Sequence, residues 1–195
     1  MREVMAVDYV SLDGVIQGPG FDREDVDGGF TRGGWIRPYI ADHRRYGDEL
    51  YPTAGAFLLG RRTYEIFAEY WPTVTKEDDL IAHALNTRPK YVASRTLTKV
   101  EWKGTTILSG DVAAQVAALK QESGKTIFLV GSSALAQSLM DLDLVDVFQL
   151  WIHPVVLGQG KRLFRDGGPD RTMKLIDSRT TSLGVVIQTY RTLRT

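Results

Sequence analysis

The sequence predicts an α/β fold, a largely parallel sheet with helices packed on it and an antiparallel pair at its end. Three observations carry this. From residue 54 to residue 153, short β-rich runs alternate with segments of helical period. Strands joined through helices pair in parallel. The stretch 172–192 then reads as two β-rich runs around a turn near Ser182–Gly184, which adds antiparallel strands at one edge.

The elements follow in order. Residues 3–10 form a β-rich run and predict the first strand. Ser11 to Gly34 is rich in glycine and carries Asp22, Glu24, Asp25 and Asp27. A loop of this length is usually functional or mobile, so it is either a solvated surface loop or a lid over a site. Trp35, Tyr39, His43, Tyr46 and Leu50 recur at helical spacing, which predicts a helix over 35–50 with Pro38 tolerated in its first turn. A strand over 54–59 runs through Gly60 into a helix over 61–70. A short helix is expected over 76–86, with Asp78 and Asp79 near its start and Pro89 beyond its end. Strands at 91–94 and 105–108 come next, then a helix capped by Asp111 and running to Glu122. A strand at 126–130, a helix at 132–140 and a strand at 145–153 complete the alternation.

Composition excludes several function classes. The chain has 195 residues, within reach of one domain covering 1–195. It has no cysteine, which rules out a disulfide framework, a thiolate metal site and a cysteine nucleophile. Lys plus Arg and Asp plus Glu are 24 each, so the formal charge is zero and no nucleic-acid partner is expected. No apolar run approaches the ~18 residues of a membrane span, and the first ten residues lack the apolar core of a signal peptide. A cytoplasmic protein without membrane contact is the expectation. The three histidines, His43, His83 and His153, show no ligand spacing, so no metal is expected.

The motifs with chemical content sit where strands end. Leu59-Gly60-Arg61-Arg62-Thr63-Tyr64-Glu65 takes a strand through glycine into a helix, a geometry that offers free backbone N–H groups and a positive helix end to a phosphate. Arg61 and Arg62 add charge suited to that anion, or are simply solvated. Ser94 and Arg95 end the next strand, a second position for a separate phosphate. Val130-Gly131-Ser132-Ser133-Ala134-Leu135 is again strand, glycine, helix; its serines either cap the helix or donate to a pyrophosphate. No G-x-G-x-x-G occurs, so a Rossmann dinucleotide site is not supported. Asp13, before Gly14, is a turn residue or an acid.

In this order the motifs are recognisable. Ser11-Leu12-Asp13-Gly14, Gly60 to Glu65, Ser94-Arg95-Thr96-Leu97, Val130 to Leu135 and Pro154-Val155-Val156-Leu157-Gly158-Gln159-Gly160-Lys161-Arg162-Leu163-Phe164 span positions 11 to 164. Together they resemble the dihydrofolate-reductase-like superfamily, most closely the reductase (RibD C-terminal) domain of the riboflavin-biosynthesis deaminase/reductase. The resemblance implies a three-layer sandwich, its central sheet mostly parallel with antiparallel C-terminal strands and helices on both faces. It implies NADPH as hydride donor, a small heterocyclic or carbonyl substrate and a homodimer. By that likeness Gly60, Arg61, Arg62 and Thr63 hold phosphate, Ser94 and Arg95 lie by the adenosine 2′-phosphate, and Gly131, Ser132, Ser133, Ala134 and Leu135 wrap the pyrophosphate. Ala6, Val7 and Ile16 flank the nicotinamide.

Asp13 is then the first candidate for the proton donor and Asp42 the second, with Tyr39 and His43 lining the substrate pocket. A non-catalytic ligand-binding domain on the same fold and a genuine dihydrofolate reductase stand as alternatives to the reductase, and two departures from the likeness bear on the choice. The substrate-helix carboxylate of true dihydrofolate reductases falls here on Arg44, and Asp42 lies two positions away, about 200° around a helix. The Gly-Gly of the phosphate loop is Gly131-Ser132, where a cis peptide bond would cost about 3–4 kcal/mol. Without cysteine for its zinc ligands, the deaminase half is not expected within these residues.

Overall fold

The computed structural model describes residues 1–75 and 79–193. Eight strands form one sheet: β1 (Val4–Ser11), β2 (Ala56–Gly60), β3 (Lys90–Ala93), β4 (Thr105–Leu108), β5 (Ile127–Val130), β6 (Val147–His153), β7 (Met173–Thr180) and β8 (Val186–Thr192). Their order is β4-β3-β2-β5-β1-β6-β8-β7. The first six pair in parallel, while β8 runs antiparallel to β6 and β7 antiparallel to β8. This is the dihydrofolate-reductase-like arrangement expected.

Side-chain alternation explains why the sheet is covered on both faces. Ala56 and Leu58 of β2, Ile127 and Leu129 of β5, and Val4 and Ala6 of β1 share a core with Val116, Leu119, Ala136 and Leu139. Those last four belong to α4 (Val112–Gln121) and α5 (Ser133–Asp141). The alternate residues Phe57, Leu59, Phe128, Val130 and Val7 pack on the other face with Tyr64, Ile81 and Leu85. These come from α2 (Arg61–Tyr70) and α3 (Leu80–Thr87). Each large apolar side chain fully buried in this way contributes about 1.5–3 kcal/mol. Lys90, fully buried, is satisfied by the carbonyls of Leu85 and Arg88 (2.8 and 2.9 Å) at the end of α3.

Several boundaries differ from the sequence reading. The helix expected over 35–50 begins at Ile40 as α1 (Ile40–Leu50), after a 3₁₀ turn at Arg37–Tyr39. Pro38 supplies no N–H and constrains the residue before it, so Trp35 and Ile36 stay outside. The helix expected over 76–86 is α3, whose N-cap is Asp79: its carboxylate accepts the N–H of Ala82 at 2.9 Å. Asp78 lies outside the described residues. Asp111 caps α4 by accepting the N–H of Ala114 at 2.9 Å.

The topology marks one crevice. The chain leaves β1 for β2, on the far side of β5, and leaves β5 for β6, on the far side of β1. The winding therefore reverses between β1 and β5, the position in an open α/β sheet where ligands bind at the carboxyl ends of strands. Pairing between them ends at Val7 and Val130, and the residues that follow are free to face a ligand.

Candidate active site

A cavity of about 610 Å³ opens at that crevice. Its walls come from Val7–Tyr9, the β2–α2 turn from Gly60 to Thr63, the β5–α5 turn from Gly131 to Leu135, α1 at His43 and Arg44, and the loop after β1.

The two turns meet. Gly60 donates its N–H to the hydroxyl of Ser132 at 2.8 Å, and that hydroxyl lies 2.8 Å from Thr63 Oγ1. A side chain at Gly60 would press on the Ser132 side chain at 3.2 Å, so the close approach of the two turns favours glycine. Gly131 and Ser132 both take left-handed backbone, φ 54° and 64°. For Ser132 this costs roughly 1–2 kcal/mol. No cis peptide bond occurs among the described residues. Ser132 occupies the N-cap position of α5, yet its hydroxyl turns towards α2 and makes no cap. No side chain caps α2 either. Both helix starts thus leave backbone N–H groups open beside one cavity, each with a positive helix end. This donor set, with its glycine approach, fits a pyrophosphate-bearing cofactor.

The loop from 11 to 34 is pinned at several points, while its outer stretches, 21–23 and 26–29, stay exposed. Gln17 is buried and donates to the carbonyls of Asp25 (3.2 Å) and Asp27 (3.0 Å). Its side-chain oxygen accepts the N–H of Lys161 at 3.0 Å, and its carbonyl accepts Trp35 Nε1 at 2.9 Å. Asp25 and Asp27 are carried over the start of α2, where Arg62 pairs with both (2.7 and 2.5 Å). Lys161 pairs with the same two carboxylates at 2.5 and 2.9 Å. Arg62, then Lys161, hold the Asp27 carboxyl well below its usual range. Arg61 pairs with Glu65 at 2.8 Å on the exposed side of α2.

On the α1 side of the cavity, His43 stacks on Tyr9, with ring centroids 4.4 Å apart. His43 Nε2 lies 2.7 Å from His153 Nε2, and both rings are buried. His153 Nδ1 faces the carbonyl of Val10 at 3.4 Å, which can only accept, so that nitrogen carries the hydrogen. His153 Nε2 then accepts, His43 Nε2 donates, and His43 Nδ1 is an unprotonated acceptor. Buried, that Nδ1 has no partner among the described residues. Burial lowers the pKa of both rings, for His43 with help from the neighbouring His153, so both are neutral at pH 7.

The structure brings together Gly60, Arg61, Arg62, Thr63, Gly131 to Leu135, Ile16 and His43 around the cavity. Val7 joins them, whereas Ala6, Tyr39, Ser94, Arg95, Asp13 and Asp42 are not in its wall. Ala6 is fully buried in the core beneath α5, on the opposite phase of β1 from Val7. Tyr39 packs edge-on against His153, 5.2 Å between centroids. Ser94 closes its own turn by accepting the N–H groups of Thr96 (3.2 Å) and Leu97 (2.9 Å), and Arg95 is exposed. Asp13 accepts from Ser11 Oγ (2.7 Å) and the N–H groups of Leu157 (3.1 Å) and Gly158 (2.8 Å). The Ser11 hydroxyl leads in lowering its carboxyl to about 2, so it anchors the segment after β6 as an ionised group. Asp42 points to the β7–β8 turn, accepting from Ser182 Oγ (2.8 Å) and Leu183 N–H (2.9 Å). Burial works to raise its pKa, but hydrogen bonds from Thr181, Leu183 and Ser182 hold it below the usual carboxylate value. Arg44, at the position of the expected helix carboxylate, lines the cavity and pairs with Asp79.

Sequence reasoning missed Asp8. It lies on β1 one residue past the last β1–β5 pair, only 2% exposed, in the cavity wall. Its Oδ2 has no partner among the described residues. Burial raises its carboxyl to about 8. The signal was present: a lone carboxylate inside an apolar strand run is rare unless paired.

No group of three or more His, Cys, Asp or Glu side chains is placed to hold a metal ion among the described residues. No helix among them is long and apolar enough to cross a membrane.

Comparison with known proteins agrees with this architecture. A family model for the RibD C-terminal domain matches residues 2–187. The uncharacterized protein YyaP of Bacillus subtilis (strain 168) is 31% identical over 187 residues, spanning 93% of this chain and 90% of that protein. The fold superposes on a pyrimidine reductase-like protein from Corynebacterium diphtheriae with a TM-score of 0.64 at 14% identity, covering 100% of this chain and 93% of the other. It also superposes on a Thermotoga maritima diaminohydroxyphosphoribosylaminopyrimidine deaminase/5-amino-6-(5-phosphoribosylamino)uracil reductase, with a TM-score of 0.66 at 14% identity. That match takes in 98% of this chain but 57% of the longer protein. With its motifs, sheet order and crevice in agreement, the chain belongs to the RibD C-terminal domain family and has its dihydrofolate-reductase-like fold.

Proposed function

We propose that this protein is an NADPH-dependent reductase of a small heterocyclic or carbonyl compound, of the class typified by 5-amino-6-(5-phosphoribosylamino)uracil. The observation that carries the reading is the meeting of two uncapped helix starts, Gly60–Thr63 and Gly131–Leu135, at the β1/β5 crevice beside one cavity. When bound, the nicotinamide supplies the hydride. The protein's residues do the rest. The backbone N–H groups of both helix starts bind the pyrophosphate, and Arg61 and Arg62 add charge for the 2′-phosphate. Ser94 and Arg95, outside the cavity wall, serve at most the outer margin of that phosphate. Val7 and Ile16 border the crevice on its apolar side. The His153–His43 pair fixes His43 Nδ1 as an acceptor for a substrate N–H or O–H, which gives orientation without adding charge.

Folate is disfavoured as substrate. The cavity wall holds Arg44 and no carboxylate of α1, so nothing on that helix grips a protonated pteridine.

The reading is tested by titrating the protein fluorimetrically with NADPH and NADH side by side. The expected result is NADPH binding at least about tenfold tighter, with Arg61→Ala weakening NADPH more than NADH. Equal affinity for both overturns the phosphate roles. NADPH oxidation is then followed with 5-amino-6-(5-phosphoribosylamino)uracil and with dihydrofolate, the first being consumed faster.

A further inference from the structure

Asp8 has no structural duty that the fold explains. Its neighbours along β1, Val7 and Tyr9, pack against apolar and aromatic groups, and its backbone pairs normally with β6 at Leu150. The side chain adds to this a buried Oδ2 without a partner. Leaving a polar atom buried and unsatisfied costs about 1–3 kcal/mol, and an apolar residue there would avoid that cost. The position is also the first on β1 past the pairing with β5, which puts it in the wall of the crevice.

The ring groups beside it in the wall are neutral. Burial pushes the Tyr9 phenol up to about 12 and that of Tyr51 well above its usual value, and the Tyr51 hydroxyl bonds to that of Tyr9. His43, across the same cavity, is uncharged. Cations that line the cavity are paired elsewhere: Lys161 and Arg62 with both Asp25 and Asp27, Arg44 with Asp79 and Arg61 with Glu65, while Glu24 accepts the N–H groups of Gly20 and Phe21. Nothing among the described residues offsets burial in favour of an Asp8 anion, and the carboxyl is half or more protonated at pH 7.

We infer that Asp8 is the acid of this cavity, a carboxylic O–H that hydrogen-bonds the substrate and delivers the proton that accompanies reduction. This rests on the reductase reading above. In the balanced step, a C=N or C=O carbon of the substrate gains a hydride from NADPH, which leaves as NADP⁺. The substrate's nitrogen or oxygen takes the Asp8 proton, and the resulting carboxylate is reprotonated from solvent. A neutral carboxylic acid kept in an apolar site to donate at neutral pH has a precedent in ketosteroid isomerase. It contrasts with Asp13 and Asp42, whose oxygens are occupied as acceptors and whose protons are already lost.

The test uses Asp8→Asn and, to keep a carboxyl, Asp8→Glu. Infrared difference spectroscopy of the unliganded protein at pH 6 should show a protonated-carboxyl band that disappears in Asp8→Asn. NADPH affinity should change by less than about threefold in either variant. Single-turnover oxidation of NADPH by 5-amino-6-(5-phosphoribosylamino)uracil should fall about 10²–10³-fold in Asp8→Asn, with Asp8→Glu recovering part of it. A missing band overturns the neutral acid. A band with an unaltered Asp8→Asn rate overturns the proton transfer. A wild-type protein that fails to bind NADPH sinks the reductase reading and the proton's destination with it, while the band still decides whether Asp8 is neutral.

Discussion

His43 and His153 face each other Nε2 to Nε2 at 2.7 Å in a buried aromatic cluster, so one ring must donate and the other accept. The Val10 carbonyl decides which, by taking the hydrogen of His153 Nδ1. A chain of three groups on β1, β6 and α1 thereby sets which nitrogen of His43, a residue of the cavity wall, carries the hydrogen.

This pair makes the fold acid-sensitive. Both folded-state pKa values lie below that of a free histidine, so the unfolded chain binds more protons as pH falls. The stabilisation is fully present above about pH 6.5 and is lost as pH falls through the depressed folded values. Urea melts between pH 7 and pH 4 should therefore show a steep loss in wild type. The loss should be shallower in His153→Gln, which removes one titrating ring. Parallel slopes would show that the pair does not titrate on unfolding.

At Ser132 two effects oppose one another. Ser132→Ala keeps the unfavourable left-handed backbone and loses the hydroxyl that joins Gly60 to Thr63. It should cost about 1–2 kcal/mol and weaken NADPH binding. Ser132→Gly relieves the backbone while losing the same bonds, and should stay within about 1 kcal/mol of wild type. Equilibrium denaturation of both variants compares the two contributions directly.

The pairs from Asp25 and Asp27 to Arg62 and Lys161 occupy cations that a phosphate would use. Replacing both aspartates by asparagine should tighten NADPH binding several-fold at low salt, with the gain shrinking as salt screens it. An unchanged titration would mean that Arg62 does not meet the cofactor.

Asp13 is expected to act on the loop and not on the chemistry. Asp13→Ala should raise amide hydrogen exchange at Leu157 and Gly158, whose N–H groups lose their acceptor. Asp13→Asn, which keeps an oxygen acceptor, should exchange less. Loss of single-turnover rate in Asp13→Asn with exchange unaltered would return Asp13 to the role of acid.

The sequence by itself determined the alternation of strands and helices, the antiparallel end and the glycine turns at Gly60 and Gly131. Each is a local matter of hydrophobic period or backbone freedom. It also marked the residues that touch at those turns, because helix starts after parallel strands gather on one side of a sheet. Only the tertiary structure decided what the acids do. Asp13, Asp42 and Asp8 are the same chemical group, and their local sequence does not say which meets solvent, a backbone N–H or nothing. Asp13 and Asp42 are claimed by amides about 140 residues away in the chain, at Leu157 and Leu183. Asp8 Oδ2 finds no partner among the described residues, one position past the last β1–β5 pair. Desolvation and long-range hydrogen bonds set protonation, and both depend on what packs around a group rather than on what precedes it.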